Sequence, residues 1–422
     1  MLGLFILNDF SFLASLEATY SLFVSLLSQM WILKTLAFAI LVGSIMALLQ
    51  KSGGIAGFVD MLQNKHSIVH SKRSALMLSY VIGIFIFIES SITALISGAV
   101  GRPFCKEYGI SNAKLAFVCD STSAPVSSLI LLNGWGALLL GLISTQITLG
   151  MIQGDSVQVL IDAVFYNFYA MSALVVTFLS IWFSIDIGSM KRAKFQSSSK
   201  QSLETIGASM YYMIVPILLL VVLLFVFLYI TGSGNMLKGS GSSSIFYTTL
   251  STLVFMLFYY VGTKNMTLSV WSKTALSGAK KLFSIVMILL FAFAIGKVTS
   301  ELNTGLYLAS LASQNISIHF LAAAIFLLSA VMAFATGTSW GTFSIMIPVA
   351  VPMAVGMDAN VALAIGAVIS GGVFGDHCSP ISDTTIISSM AADCDVIEHV
   401  QTQLPYALIS GLVAFMLFIV FS

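Results

Sequence analysis

Charged side chains are scarce in this sequence. Lysine, arginine, aspartate and glutamate together make up 8% of the 422 residues, whereas hydrophobic residues make up 58%. Soluble domains contain about 25% charged residues, so a chain of this composition is expected to fold with the lipid bilayer as its main solvent. The formal net charge of +1 argues against a nucleic-acid partner. The sequence therefore predicts an all-α polytopic membrane protein.

Motifs for metal binding and for secretion are also missing. The four cysteines form no CxxC pair, so neither a disulfide framework nor a zinc site is expected. The sequence HSIVH at residues 66–70 lacks the glutamate of a zinc-protease motif. Residues 1–30 show no basic segment followed by a cleavage site, so the first membrane helices are expected to direct insertion. We expect neither an enzyme nor a cofactor.

The polar residues that are present interrupt apolar segments. The clearest interruption surrounds Pro380, in a stretch long enough to cross the bilayer. Proline removes a backbone donor and clashes with the preceding turn. Irregular backbone is tolerated at membrane depth only where it is buried in protein or lines a water-filled cavity. We expect a broken membrane helix whose freed carbonyls and side chains form a site. Its polar side chains are Asp376, Ser379, Ser382, Asp383 and Thr384.

Three further apolar segments carry similar interruptions. An ionisable residue at membrane depth is a functional-site hypothesis by default. Carboxylate, hydroxyl and carbonyl oxygens are the ligands that hard cations prefer. We therefore expect sodium ligands among these residues, with Asp376, Asp383 and Asp120 as the carboxylates. The additional candidates for ion or substrate binding are Glu89, Ser121, Thr122, Ser123, Thr338 and Ser339.

Each candidate also has a plainer explanation. A carboxylate is favoured at the N-terminus of a half-helix, and Asp120 is placed to cap one. Hydroxyl groups can satisfy backbone groups beside a break in an ordinary transmembrane helix. His377 is expected to be a hydrogen-bonded structural residue, and His399 to lie in a solvated cluster with neighbouring acids. The functional interpretation requires that the interruptions meet in the fold.

The basic loops predict how the chain is threaded. Residues 51–73, 191–200 and 264–281 carry clustered lysine and arginine, so the positive-inside rule places these loops in the cytoplasm. With each interrupted segment read as a re-entrant hairpin or a broken helix, one unit occurs twice in opposite orientation. Such inverted repeats are typical of secondary transporters.

The predicted boundaries follow from this threading. The first repeat is residues 1–185, with a span at 31–50, a hairpin at 76–101, a broken helix at 115–150 and a span at 163–185. Residues 186–206 form a cytoplasmic linker. The second repeat is residues 207–422, with spans at 208–230, 245–262 and 282–298, a hairpin at 321–355, a broken helix at 361–390 and a final span at 404–421. Residues 1–29 fit either a short span or an interfacial helix.

Three segments resemble a known family. The sequences GDHCSPISDTT at residues 375–385, FATGTSWGTFSIMIPVA at 334–350 and KLAFVCDSTSAPVSSLI at 114–130 closely resemble the NhaC-type sodium/proton antiporters of the ion transporter superfamily. The run TQLPYAL at residues 402–408 fits as well. The resemblance implies a scaffold domain, a transport domain, a homodimer and elevator-type movement. It points to residues 120–125, 338–342 and 376–385 as the ion and substrate site.

The chain departs from that family in two places. Many members carry an Asp-Asp pair in the first hairpin, where this chain has Glu89 and Ser90. Members also usually begin with two further spans, for which only residues 1–29 are available here. The first departure bears on ion preference and the second on the oligomer interface.

The leading hypothesis is a sodium/proton antiporter in the inner (cytoplasmic) membrane of the cell. Its partners would be the bilayer and a small ion or small-molecule cargo, with sodium and protons transported rather than held as cofactors. The alternative is a sodium- or proton-coupled carrier of a small organic anion or amino acid. An ion channel or an intramembrane hydrolase is a third, less favoured class.

Overall fold

The computed structural model describes residues 2–54, 56–58, 69–87, 90–130, 133–195, 209–234, 239–281, 283–302, 307, 310 and 317–422. Throughout these ranges the regular structure is helical. Six of the described helices are long and apolar enough to cross a bilayer, and eight spans result if each of two bent helix pairs counts as one. The prediction of an all-α polytopic membrane fold is confirmed.

We number the described helices α1 to α19. The first ten are α1 Leu2–Leu7, α2 Phe12–Ser28, α3 Met30–Lys51, α4 Lys72–Phe85, α5 Ser90–Tyr108, α6 Asn112–Ser121, α7 Ala124–Leu129, α8 Gly134–Thr148, α9 Ser156–Val164 and α10 Phe168–Trp182. A short 3₁₀ helix, Gly188–Arg192, follows. The others are α11 Tyr211–Thr231, α12 Gly241–Gly262, α13 Leu268–Lys281, α14 Phe283–Glu301, α15 Ile318–Thr336, α16 Ser339–Gly356, α17 Val361–Cys378, α18 Asp383–Ala392 and α19 Val396–Phe421.

Short polar side chains fix the helix starts inside the bundle. The Asn133 side chain accepts hydrogen bonds from the amides of Trp135 and Gly136 at the start of α8. Thr338 accepts one from the Gly341 amide at the start of α16. The first amides of a helix have no partner within the helix, and lipid supplies none. These caps therefore allow helices to begin at membrane depth.

The hairpin of α15 and α16 packs closely along α17. Its turn is Gly337, which adopts a left-handed conformation with φ 65°. A Cβ atom at Gly337 would lie 2.8 Å from Ile381 Cγ1, so the hairpin tip contacts the break between α17 and α18. At Gly375 a Cβ atom would lie 2.1 Å from the Ala330 carbonyl oxygen, which shows how closely the two backbones approach.

Helix α18 packs instead against the first half of the chain. A Cβ atom at Gly98 of α5 would lie 2.6 Å from Ala391 Cβ. The Asn112 side chain donates to the carbonyls of Ala392 (3.0 Å) and Asp393 (2.9 Å) at the end of α18. Arg102 and Asp393 form an ion pair of 3.1 Å. The second broken helix is therefore shared between the two halves.

Two of the predicted segments contain more breaks than expected. The span predicted at residues 163–185 corresponds mainly to α10, which follows α9 after a bend of 41°. The break is held by Asn167, whose side chain caps α10 and also contacts Ser128 and Ser370. The segment at 115–150 contains three helices, because the chain breaks again before Asn133 caps α8. A single asparagine in an apolar run was a weaker signal than proline.

The prediction of a loop at residues 264–281 is wrong, because residues 268–281 form helix α13. This helix packs on α3 through small residues. Ser44 Oγ donates to the Ala275 carbonyl over 2.8 Å, and a Cβ atom at Gly278 would lie 2.1 Å from the Gly43 carbonyl oxygen. Three lysines on this helix suggested a solvated loop, whereas the close packing depends on its alanine and glycine. The linker predicted at residues 186–206 is described only as far as residue 195.

Gly375→Ala is expected to lower the thermal stability of the folded protein. The added methyl group must displace the Ala330 carbonyl or separate α15 from α17, and overpacking of this kind costs about 1–3 kcal/mol. The matched control is Gly262→Ala at the end of α12, where no atom lies within 4 Å of the added methyl group. Unfolding midpoints in detergent measure both, and equal midpoints would contradict the close approach.

Candidate ion-binding site

The polar interruptions of the two halves meet in the interior. Asp120 lies one residue before the end of α6, and His377 lies one residue before the end of α17. Nε2 of His377 is 3.2 Å from the Asp120 carbonyl oxygen and 3.9 Å from Asp120 Oδ1. The functional interpretation required the interruptions to meet, and in the structure these two residues lie side by side.

The Asp120 carboxylate is fully buried and is held by donors from two helices of the second half. Ser388 Oγ of α18 donates to Oδ1 over 3.3 Å, and Gln403 Nε2 of α19 donates to Oδ2 over 2.6 Å. His399 Nε2 lies 3.4 Å from Oδ2. The expectation that Asp120 caps a half-helix is wrong, because no side chain caps the start of α7. Asp120 instead joins α6 to α18 and α19.

His377 is a junction between the helices around Asp120. Its Nδ1 lies 3.0 Å from the Tyr169 hydroxyl of α10, and its carbonyl accepts a hydrogen bond of 2.9 Å from Gln403 Nε2. Both ring nitrogens of His377 therefore have hydrogen-bond partners. A neutral imidazole fits this pattern when Tyr169 donates to Nδ1 and Nε2–H donates to the Asp120 carbonyl. His377 is therefore hydrogen-bonded, as predicted.

The Asp376 carboxylate differs from that of Asp120 because one of its oxygens is open. Its side chain is buried, and Thr384 Oγ1 donates to Oδ2 over 3.1 Å. Oδ1 has no hydrogen-bond partner among the described residues. Ser382 Oγ lies 3.0 Å from Thr384 Oγ1, which brings a second hydroxyl to the same place. A buried polar atom without a protein partner indicates a proton, a water molecule or an ion.

Asp383 lies beside this site but on its accessible side. It is the first residue of α18, its side chain is exposed, and Oδ1 accepts a hydrogen bond of 2.8 Å from the Thr384 amide. The two aspartates of the break thus occupy different environments. Asp376 is buried, and Asp383 is exposed at the surface of the protein.

Most of the other predicted hydroxyls satisfy backbone carbonyls. Ser379 donates to Phe334, Ser339 to Gly372, Thr122 to Val118 and Ser123 to Asp120, over 2.8 to 3.1 Å. These four hydroxyl groups therefore donate to backbone carbonyls, as the structural explanation predicts. The Thr338 side chain caps helix α16. Ser121 is buried and lines a narrow gap near His377. Glu89 lies outside the described residues.

Four residues of the cluster around Asp120 and His377 were not predicted to act there: Tyr169, Ser388, His399 and Gln403. Tyr169, His399 and Gln403 are almost completely buried. The solvated cluster expected around His399 is wrong, because this side chain is 0% exposed and faces Asp120. His399 and Gln403 are four residues apart and therefore lie on one face of α19. That spacing was the available signal, but the acids before His399 obscured it. No group of three or more acidic, histidine or cysteine residues in the described ranges is placed to hold a metal ion.

Comparison with known proteins now assigns the family. Residues 129–422 match the Na+/H+ antiporter family. The chain belongs to this family. An uncharacterised protein of Haemophilus influenzae is 33% identical to this antiporter over 390 residues, which cover 88% of this chain and 75% of the relative.

Shorter matches involve transporters with assigned names. A protein named as an uncharacterised Na+/H+ antiporter of Haemophilus influenzae is 43% identical over 90 residues, covering 20% of this chain and 19% of the relative. The malate-2H+/Na+-lactate antiporter of Bacillus subtilis is 34% identical over 108 residues, covering 24% and 23%. Both matches are local.

A solved structure shares the fold of this antiporter. The crystal structure of the YdaH transporter of Alcanivorax borkumensis superposes with a TM-score of 0.67 at 14% identity, covering 96% of this chain and 88% of the other. The likeness at this identity concerns the fold alone. The antiporter is therefore a multi-pass membrane protein with the fold of a known transporter.

Gln403→Met is expected to destabilise the antiporter. The substitution removes the donor to Asp120 Oδ2 and to the His377 carbonyl, and an unsatisfied buried acceptor costs about 1–3 kcal/mol, more when it is charged. The matched control is Gln146→Met, because Gln146 is equally buried and its Nε2 has no partner in the described structure. Thermal unfolding in detergent compares the two. A larger loss for Gln146→Met would contradict the assigned role of Gln403.

Proposed function

We propose that the antiporter exchanges sodium for protons at Asp376. The observation that carries this proposal is the open Oδ1 atom of a buried carboxylate beside a helix break. Sodium is a hard cation that prefers oxygen ligands. Hydroxyl oxygens of Ser382 and Thr384 lie at the same place, and the break between α17 and α18 supplies carbonyls that are not used in a helix.

Exchange follows from competition at one carboxylate. Asp376 is compensated by a proton in one state and by a sodium ion in the other, because an unpaired buried charge is costly. Binding of one ion therefore releases the other. Asp383, exposed at the start of α18, adds a second negative charge on the accessible side. It would attract the cation and complete its ligand set.

Asp120 has a different part in this proposal. Both of its oxygens already receive protein donors, from Ser388 and Gln403. It would hold α6, α18 and α19 together around His377, the neighbour of Asp376 in the chain. The hydroxyl oxygens of Ser121, Thr122, Ser123, Thr338, Ser339 and Ser379 stay candidates for further ligands.

The element order supports inverted repeats. In the first half, the pair α4 and α5 is followed by the break between α6 and α7, by α8 and α9, and by α10. In the second half, the pair α15 and α16 is followed by the break between α17 and α18 and by α19, so α8 and α9 have no counterpart there. In this arrangement α3, α11, α12, α13 and α14 would form a scaffold. We further propose a homodimer, an elevator-type movement and location in the inner membrane, with the bilayer and the ion as partners.

One sequence motif suggests a hydrolase, but its structural setting favours a transporter over an enzyme. The letters GTSWG at Gly337–Gly341 match the GxSxG pattern, which requires a turn between a strand and a helix. Here the turn joins two helices, and Ser339 Oγ donates to the Gly372 carbonyl over 3.1 Å. This serine has a structural partner in place of a catalytic base.

Asp376→Asn is expected to abolish exchange. In everted vesicles with an acid interior, added sodium should collapse the pH gradient in the wild type and leave it intact in the variant. The reason is that an asparagine amide does not take up and release a proton and has no negative charge to hold sodium. The control is Asp162→Asn, an exposed aspartate on α9, which should exchange normally. Sodium-dependent exchange by a correctly inserted Asp376→Asn variant would reject the proposed site.

A panel of labelled organic anions and amino acids in proteoliposomes tests the alternative cargo.

A further inference from the structure

Two hydroxyl side chains on one face of α18 contact the two buried carboxylates. Thr384 Oγ1 donates to Asp376 Oδ2 over 3.1 Å. Ser388 Oγ donates to Asp120 Oδ1 over 3.3 Å. Thr384 and Ser388 are both buried, and because they are four residues apart they lie on the same side of the helix. One face of α18 thus joins the candidate ion site to the Asp120 carboxylate of the first half.

No side chain caps the start of α18. Ser382 occupies the N-cap position, but its side chain accepts no hydrogen bond from the amides of the first turn. Its Oγ instead lies 3.0 Å from Thr384 Oγ1, beside the candidate site. Pro380 in the preceding break has no amide hydrogen to contribute. The place of the first turn therefore depends on contacts made by the helix itself.

Two of these contacts end at Asp376. Thr384 donates to its carboxylate, and Thr385 Oγ1 donates to its carbonyl oxygen over 3.4 Å. They join α18 to the residue that would exchange a proton for sodium, so they do not hold the helix independently of the ion. Of the described hydrogen bonds between α18 and other helices, the bond from Ser388 to Asp120 is the nearest to the site that does not involve Asp376.

The Asp120 carboxylate is an anchor whose place does not depend on the ion. Gln403 of α19 donates to its other oxygen over 2.6 Å, and the whole side chain is buried. Hydrogen bonds to an ionised carboxylate are stronger than those between neutral groups. The far end of α18 is held separately, by the bond from Asn112 to the Asp393 carbonyl. Ser388 lies between that end and the first turn.

We infer that Ser388 is a positioning residue that sets the affinity of the antiporter for sodium. The inference rests on the proposed exchange at Asp376. The Thr384 hydroxyl can donate its hydrogen to Asp376 and still offer a lone pair to a cation, but the ligands of a site must be held within about 0.5 Å of the productive geometry. Ser388 does not touch the ion. It holds the first turn of α18, and with it the Thr384 oxygen, against Asp376.

Ser388→Ala tests this role through the sodium dependence of exchange. In everted vesicles, the sodium concentration that gives half-maximal exchange (KM) should rise about threefold to tenfold, the range expected for the loss of one hydrogen bond. The maximal rate at saturating sodium, corrected for the amount of inserted protein, should stay within about twofold of the wild type. A hydrogen bond with a merely structural role predicts less inserted protein and an unchanged KM.

Ser389→Ala is the matched control. Ser389 is as deeply buried as Ser388, but its Oγ donates to the Thr385 carbonyl within α18. This variant should leave the KM unchanged. Ser388→Cys keeps a weak donor at the same position and provides the test if Ser388→Ala is not inserted; its KM should also rise. An unchanged KM in an inserted Ser388 variant, or an equal rise in Ser389→Ala, overturns the inference.

The position of α18 is measured separately from transport. Nitroxide labels on Ile386→Cys of α18 and Val175→Cys of α10, at two exposed positions, report the distance between these helices in detergent. The background carries Cys394→Ser, because the other three native cysteines are buried. Ser388→Ala should shift or broaden the distance distribution and Ser389→Ala should not; an unchanged distribution in Ser388→Ala overturns the inference. A wild type without sodium-dependent exchange would reject the proposed function instead, and the labels would still decide whether Ser388 positions α18.

Discussion

The structure depends on the need to satisfy the Asp120 carboxylate away from water. A charged group in the protein interior is costly unless hydrogen bonds and opposite charges surround it. Here the partners come from α17, α18 and α19 together, through His377, Ser388, His399 and Gln403. Because these partners lie on three different helices, one carboxylate fixes how the second broken helix and the last helix sit against the first half. The open oxygen of Asp376 is positioned by the same arrangement.

Much of the fold could be predicted from local signals. The broken helix at residues 361–390 was marked by Pro380 and by acids in an apolar run, and the hairpin at 321–355 by the polar turn around Thr338. Other features depend on contacts that no local pattern encodes. Helix α13 needs Ala275 and Gly278 against α3, and its lysines alone suggested a loop. The bend between α9 and α10 rests on Asn167, whose importance lies in its links to Ser128 and Ser370.

The candidate site, like the fold, could be predicted only in part from local sequence patterns. The types of residue that bind a hard cation identified Asp376, Ser382, Asp383 and Thr384, which do lie together. They could not reveal which carboxylate is saturated and which is open. That difference is set by Gln403 and Ser388 at Asp120 and by the absence of a described donor at Asp376 Oδ1. His399 was predicted to lie at the surface because its sequence neighbours are acidic. In the structure it is buried on the face of α19 that packs against Asp120.

The distance along the chain between Asp120 and its partners has a consequence for biogenesis. Its contacts with His377, Ser388 and Gln403 span 257, 268 and 283 residues. Helix α6 leaves the ribosome long before these residues are made, so its carboxylate must first be hydrated or neutralised. The first half therefore cannot complete its interior on its own during synthesis. Only when α19 has been synthesised does the chain contain all the groups that contact the Asp120 carboxylate.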